Sequence, residues 1–239
     1  MYFLFSGEGP TDLGGCRGGA SACEADQYQY GPMTVIVNQV VHARRGYSLL
    51  DTKYYGFLSE RGLTNCSSKL KLAKKSPRLP GKRRAKETRY FYRNARALAL
   101  YAKDKSVKLK DTIIAVLFHD SDERVSAGRT LWDDKWRSMI DGFSEENFTT
   151  GVPMIPKPTS EAWLICALKE NSYQGCAALE NRSGSRRSPN PLKGELRDLL
   201  GHQPSREELC GMVNDRIVDV DRIDMPSFDA FKTRLEQVI

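Results

Sequence analysis

The sequence predicts an α/β protein: a mostly parallel, Rossmann-like sheet flanked by helices, with a helical extension at its C-terminal end. Three observations predict it. The run Ile113-Ile-Ala-Val-Leu-Phe118 is apolar without a break, which fits a strand covered on both faces, as in the middle of a parallel sheet. Tyr2-Phe3-Leu4-Phe5 opens the chain as a second short apolar strand. Segments of helical period follow each of them, as βα units require.

Each strand run ends in acids. His119-Asp120-Ser121-Asp122 follows the later strand, and Ser6-Gly7-Glu8-Gly9-Pro10-Thr11-Asp12 follows the first. Ligands bind at the carboxyl edge of open α/β sheets. In one parallel sheet, Glu8, Asp120 and Asp122 would therefore converge as hard oxygen ligands suited to Mg²⁺ or Mn²⁺. Flanking glycines let the backbone turn sharply and display Glu8.

A glutamate in a Gly-Glu-Gly turn after the first strand, with an Asp-x-Asp after a later buried strand, resembles the acidic signature of the TOPRIM fold. That fold is shared by topoisomerases, bacterial primases, RNase M5-like maturases and OLD-type nucleases. The chain is most similar to small bacterial TOPRIM-like proteins encoded beside an ABC-type or AAA-type ATPase. In those a helix carrying Glu-Ala-Trp follows the acidic strand, and Ser160-Glu161-Ala162-Trp163-Leu164 stands in that place here. The resemblance covers residues 1–13 and about 112–170, and the C-terminal tail loosely; residues 14–111 match nothing. It implies a metal-dependent nuclease acting on DNA or RNA, as the effector of an anti-phage or anti-plasmid defence system with a partner ATPase.

Phosphodiester cleavage needs a cation to neutralise the phosphate and activate water. On this reading Asp120 and Asp122 bind metal, and Glu8 binds metal or acts as general acid or base. Lys157 stabilises charge on the phosphate, and Glu161 is auxiliary. Alone, Glu161 reads as a carboxylate stabilised in the first turn of a helix. His119 is a weaker general-acid candidate, since a histidine closing a buried strand is more often a hydrogen-bonded core residue. Asp12 reads as a cap for the following segment, and His42 and His202 have no identifiable partner.

The +7 net charge is unevenly placed: of the 28 residues from 69 to 96, twelve are Lys or Arg against one acid, Glu87. Such a block suits a phosphate backbone. Lys82, Arg83, Arg84, Lys86, Arg89 and Arg93 are the candidate contacts on a helix over 82–105, with Tyr90, Phe91 and Tyr92 placed to stack on bases. A solvated helix face is the competing account.

The remaining elements follow in order. Residues 14–23 form a Gly- and Cys-rich loop too poor in apolar groups to pack, expected as a mobile insertion; it lacks the Gly-Lys-Ser/Thr ending of a P-loop. A helix is predicted over 33–45 and a strand within 47–58. A helix from about 126 to 140 should turn Trp132 and Trp136 inward. Residues 151–156 read as a strand whose prolines favour an edge, followed by a helix over 161–169 capped by Thr159 or Ser160. Residues 172–188 read as a surface loop, and short helices are predicted over 191–200, 205–213 and 227–239. These assignments give an α/β domain at 1–170 with a basic insertion at about 66–105, and a helical extension at 171–239 on the same core.

The 40% hydrophobic and 28% charged residues are those of a globular chain, and no run approaches a membrane span. No basic region precedes the first apolar residues, so a cytoplasmic location without membrane contact is expected. The six cysteines show no zinc spacing, and in a reducing compartment unpaired thiols are expected. Homo-oligomerisation is compatible with the sequence. Two other classes stay open: a non-catalytic partner or regulator of an ATPase, and a metal-dependent phosphotransferase or phosphatase acting on small molecules.

Overall fold

The computed structural model describes residues 1–70, 86–122, 131–185 and 187–239, with the side chains of 69, 86 and 87 excepted. Among the described residues the strands are β1 (Tyr2–Gly7), β2 (Gly14–Cys16), β3 (Ala22–Glu24), β4 (Tyr28–Tyr30), β5 (Tyr55–Ser59), β6 (Ile113–Phe118) and β7 (Gly151–Met154). The α-helices are α1 (Pro32–Arg45), α2 (Leu49–Thr52), α3 (Glu60–Leu70), α4 (Lys86–Leu109), α5 (Leu131–Glu145), α6 (Ser160–Leu168), α7 (Leu192–Leu200), α8 (Arg206–Asn214) and α9 (Pro226–Val238).

Five strands form one sheet in the order β3-β5-β1-β6-β7; β5, β1, β6 and β7 pair in parallel, and β3 joins its edge antiparallel. The fold is thus mixed α/β with a mostly parallel central sheet and helices on both faces. Every residue of β1 and β6 is buried, and the pleat sorts them between two cores. Phe3, Phe5, Ile114, Val116 and Phe118 meet α1, α6 and the C-terminal helices on one face. Tyr2, Leu4, Ile113, Ala115 and Leu117 meet α4 and α5 on the other.

Proline and glycine bracket α1: Pro32 stands in its first turn, where a missing N–H costs nothing, and Gly46 ends it at φ 76°. The C-terminal segment is tied to α1 through Gln39. Its amide donates to the carbonyls of Val218 (2.9 Å) and Val213 and accepts from Val220 N–H (3.2 Å). A buried amide with these partners fixes the segment more specifically than apolar packing alone.

Residues 14–23 depart from the predicted mobile insertion. β2 pairs with β4, and β3 adds to the main sheet through β5. The backbone ladder, which needs no apolar side chains, holds this segment. The turn brings Cys16 and Cys23 to a Cα–Cα distance of 5.8 Å, and they form a disulfide. A second disulfide, Cys166–Cys176, joins the end of α6 to the 3₁₀ turn at Cys176–Asn181. Both correct the expectation of unpaired thiols. Disulfides persist in oxidising compartments, so the cytoplasmic expectation loses the support that reduced cysteines would have lent it. Among the described residues no helix is long and apolar enough to cross a membrane.

Candidate cation site at the carboxyl edge

Gly7 is paired with Phe118 where β1 and β6 end side by side, so their following loops share one edge. Gly7 has φ 153°, and a Cβ there would overlap the Phe118 carbonyl oxygen. Only glycine lets the strands end this close. Beyond it the Glu8 side chain crosses to the β6 loop, where Oε1 accepts the Asp120 N–H at 3.0 Å.

Two groups of side chains face this edge. In the first, Glu8 lies beside His119, whose Nδ1 is 3.4 Å from Glu8 Oε1, and near Glu60 in the first turn of α3. At that separation the pair is within ion-pair range, but it lacks the alignment of a hydrogen bond. Burial pushes the Glu8 carboxyl up, but His119, the Asp120 N–H and the Lys135 charge outweigh it and leave it below its ordinary value.

The second group surrounds a cavity of about 220 Å³ whose lining includes Asp12, Asp120, Asp122, Glu161 and Lys193. Asp120 Oδ1 accepts the Ser160 N–H at 2.9 Å, at the start of α6. Ser160 Oγ in turn donates to Asp12 Oδ1 at 2.6 Å. The loop holding Asp122 is fixed by its own N–H donating to Pro158 O at 3.0 Å, and by Ser121 N–H donating to Pro156 O at 3.1 Å. Asp122 has φ 48°, a left-handed conformation that aspartate tolerates better than most residues. Burial pushes the Asp120 carboxyl well above the ordinary carboxylate range, and the charges of Asp12, Glu161, Glu8 and Asp122 add to the shift.

The expected ligands Glu8, Asp120 and Asp122 therefore share an edge but divide between two groups. Glu8 turns to His119, while Asp120 and Asp122 turn to the cavity, which Glu161 also lines. Among the described residues, the ligand atoms that lie within 4.8 Å of one another belong to Glu8, Glu60 and His119. Lys157 is half-buried and is not a lining residue; its charge acts on Glu180. Arg89 and Arg93 are exposed on α4, whereas Phe91 packs into the core and Tyr90 donates to Glu60. Lys82, Arg83 and Arg84 and the side chain of Lys86 lie outside the described residues.

Three residues went unseen from sequence. Asp12 was read as a cap, yet it lines the cavity through the bend at residues 9–13, where Asp12 and Leu13 N–H both donate to Gly9 O. Glu60 follows β5 directly, so the same strand-end rule that selects Glu8 also selects it once β5 is placed beside β1. Lys193, on α7, is brought in by long-range packing and has no local signal.

No family model matches the chain, and no curated protein matches it. Among solved structures, it is similar to a putative GDSL-like lipase from Parabacteroides merdae, with 14% identity over 84% of this chain and 95% of that one and a TM-score of 0.34. None of these comparisons gives a TOPRIM protein or a nuclease. The TOPRIM membership, and the nuclease and defence role that it implied, are corrected accordingly; the ATPase-partner and phosphotransferase alternatives gain no support from them either.

Proposed function

We propose that the carboxyl edge is the divalent-cation site of a hydrolytic enzyme acting on a small molecule, with Asp120 as principal ligand and Asp12, Asp122 and Glu161 around it. The observation that carries this reading is that Asp12, Asp120, Asp122 and Glu161 line one cavity at the sheet edge, where burial, and then the charges of the neighbouring carboxylates, push the Asp120 carboxyl above its ordinary range. Like charges gathered around one cavity are relieved by a proton or by a cation. The donor set is all oxygen, which suits Mg²⁺ or Mn²⁺. Mg²⁺ commonly takes only one or two protein carboxylates and keeps several waters, so it needs no closed cage.

A cation held here would polarise a substrate oxygen and lower the pKa of water, the chemistry that hydrolysis requires. The chain supplies the rest. Glu161, in the first turn of α6, and Asp122 are placed to accept a proton at the cavity wall. Lys193 offers a positive charge for an anionic group. The cavity volume falls below the roughly 300–1,000 Å³ of pockets for drug-sized ligands, which favours a small substrate or a small reacting group.

The test is hydrolysis of a panel of small carboxylic and phosphoric esters with Mg²⁺, Mn²⁺ or EDTA. Turnover that EDTA abolishes, that added cation restores and that Asp120→Asn lacks supports the reading. Cation-independent turnover, or wild-type activity in Asp120→Asn, overturns it.

A further inference from the structure

We propose that Glu8, Glu60 and His119 form a separate site for a divalent first-row transition metal, with His119 Nδ1 as its nitrogen ligand. The inference is independent of the hydrolytic reading, because it rests on the other group of side chains at the sheet edge. Ligand atoms of the three residues already lie within 4.8 Å of one another. Ligands at the roughly 2.0–2.2 Å distances of zinc-like sites stand at most about 4.4 Å apart, so the three side chains need only draw together slightly to share an ion.

The second observation is His119 itself. Its side chain is fully buried, and Nδ1 lies 3.4 Å from the Glu8 carboxylate, within ion-pair range but without an aligned hydrogen bond. Buried polar atoms are nearly always satisfied, so this nitrogen calls for an explanation. A metal ion between Nδ1 and the two carboxylates supplies one.

The surroundings can accommodate a metal-bound histidine once the Asn94 amide is turned over. On the far side of the ring, Nε2 is 3.2 Å from the Asn94 side-chain amide. An amide there serves either tautomer: its NH₂ donates to a bare Nε2, and once turned over its oxygen accepts from Nε2–H. The second arrangement leaves Nδ1 as a lone pair for metal, the orientation that outer partners commonly impose on ligating histidines. Tyr90 and Phe91 hold the ring edge-on, at centroid distances of 5.0 and 5.5 Å, and Tyr90 donates to Glu60. Lys135, held by the Ser121 carbonyl, lies near enough to influence Glu8, but the two carboxylates outnumber it.

One imidazole and two carboxylates select differently from the all-oxygen cavity next door. The nitrogen favours Zn²⁺, Fe²⁺ or Co²⁺ over Mg²⁺ or Ca²⁺. Both sites lie on the same sheet edge, joined through the Asp120 N–H bond to Glu8.

Co²⁺ is the probe, followed by calorimetry and by the visible absorption of a nitrogen-ligated ion. Wild-type protein should bind it, and Asn94→Ala should weaken binding by about 10- to 100-fold, the usual effect of losing an outer partner. Glu60 is exposed, so Glu60→Gln should fold normally and still lose affinity by at least a similar factor. His119→Asn should lose the absorption band, with circular dichroism checking its fold. Asp120→Asn should keep Co²⁺ while losing Mg²⁺, which separates this site from the cavity. No Co²⁺ binding by wild type, or equal binding by wild type and Glu60→Gln, overturns the proposal.

Discussion

The Asp120 backbone N–H donates to Glu8 Oε1 at 3.0 Å, joining two loops separated by 112 residues of sequence. This bond turns Glu8 away from the cavity and leaves Asp120 among Asp12, Asp122 and Glu161. One strand edge therefore presents two chemically different groups.

Asp120→Asn should raise the melting temperature of the cation-free protein at neutral pH. Asparagine keeps an oxygen to accept the Ser160 N–H but removes the charge that its neighbours oppose. Because the folded carboxyl sits above its unfolded value, the native state binds the proton more tightly. Its contribution to stability is thus fully present below the unfolded pKa and is lost as pH rises through the folded one. The gain in the variant should accordingly shrink on acidification. Each ~1 kcal/mol should appear as about 2–4 °C in calorimetry for a chain of this size.

Gly7→Ala should destabilise the fold by about 1–3 kcal/mol, the usual cost of a residue forced into a sparse backbone region. The added methyl would overlap the Phe118 carbonyl oxygen where β1 and β6 end. Urea unfolding measures it, and an unchanged midpoint would show that the strands do not meet there.

Much of this fold could be read from the chain, because its signals are local. The apolar runs of β1 and β6, the proline-flanked α1 and the Ser205 cap of α8, whose Oγ accepts Glu208 N–H at 3.1 Å, all lie within a few residues of their causes. Placing Glu8, Asp120 and Asp122 at one edge followed from strand polarity alone, whereas Glu161 was added only by the family likeness. What escaped depends on distant pairing: β3 on β5, both disulfides, and the choice of Glu8 between His119 and Asp120. The family likeness rested on the Glu161-Ala162-Trp163 triplet and on a few acids at strand ends, and any parallel sheet can place such acids at its carboxyl edge.

Thiol titration should find two reactive groups in the denatured, unreduced protein, Cys66 and Cys210, and six after reduction. Six before reduction would remove both disulfides and restore the reading of a reducing environment.

Glu180→Ala should cost about 1–3 kcal/mol by leaving a buried donor unsatisfied. Glu180 accepts the Ser227 N–H at 2.7 Å in the first turn of α9, where Met225 offers no side-chain cap. Ser227 Oγ meanwhile accepts the Trp163 indole N–H at 2.9 Å, so α9 and α6 should loosen together. Increased exposure of Trp163 by fluorescence would accompany the loss, and an unaltered unfolding midpoint would contradict it.

The most direct test of the cation site is calorimetric titration of the wild-type protein and Asp120→Asn with Mg²⁺. The account predicts one saturable site in the wild type that Asp120→Asn lacks while remaining folded. Absence of binding in the wild type, or an equal isotherm in both proteins, would contradict it.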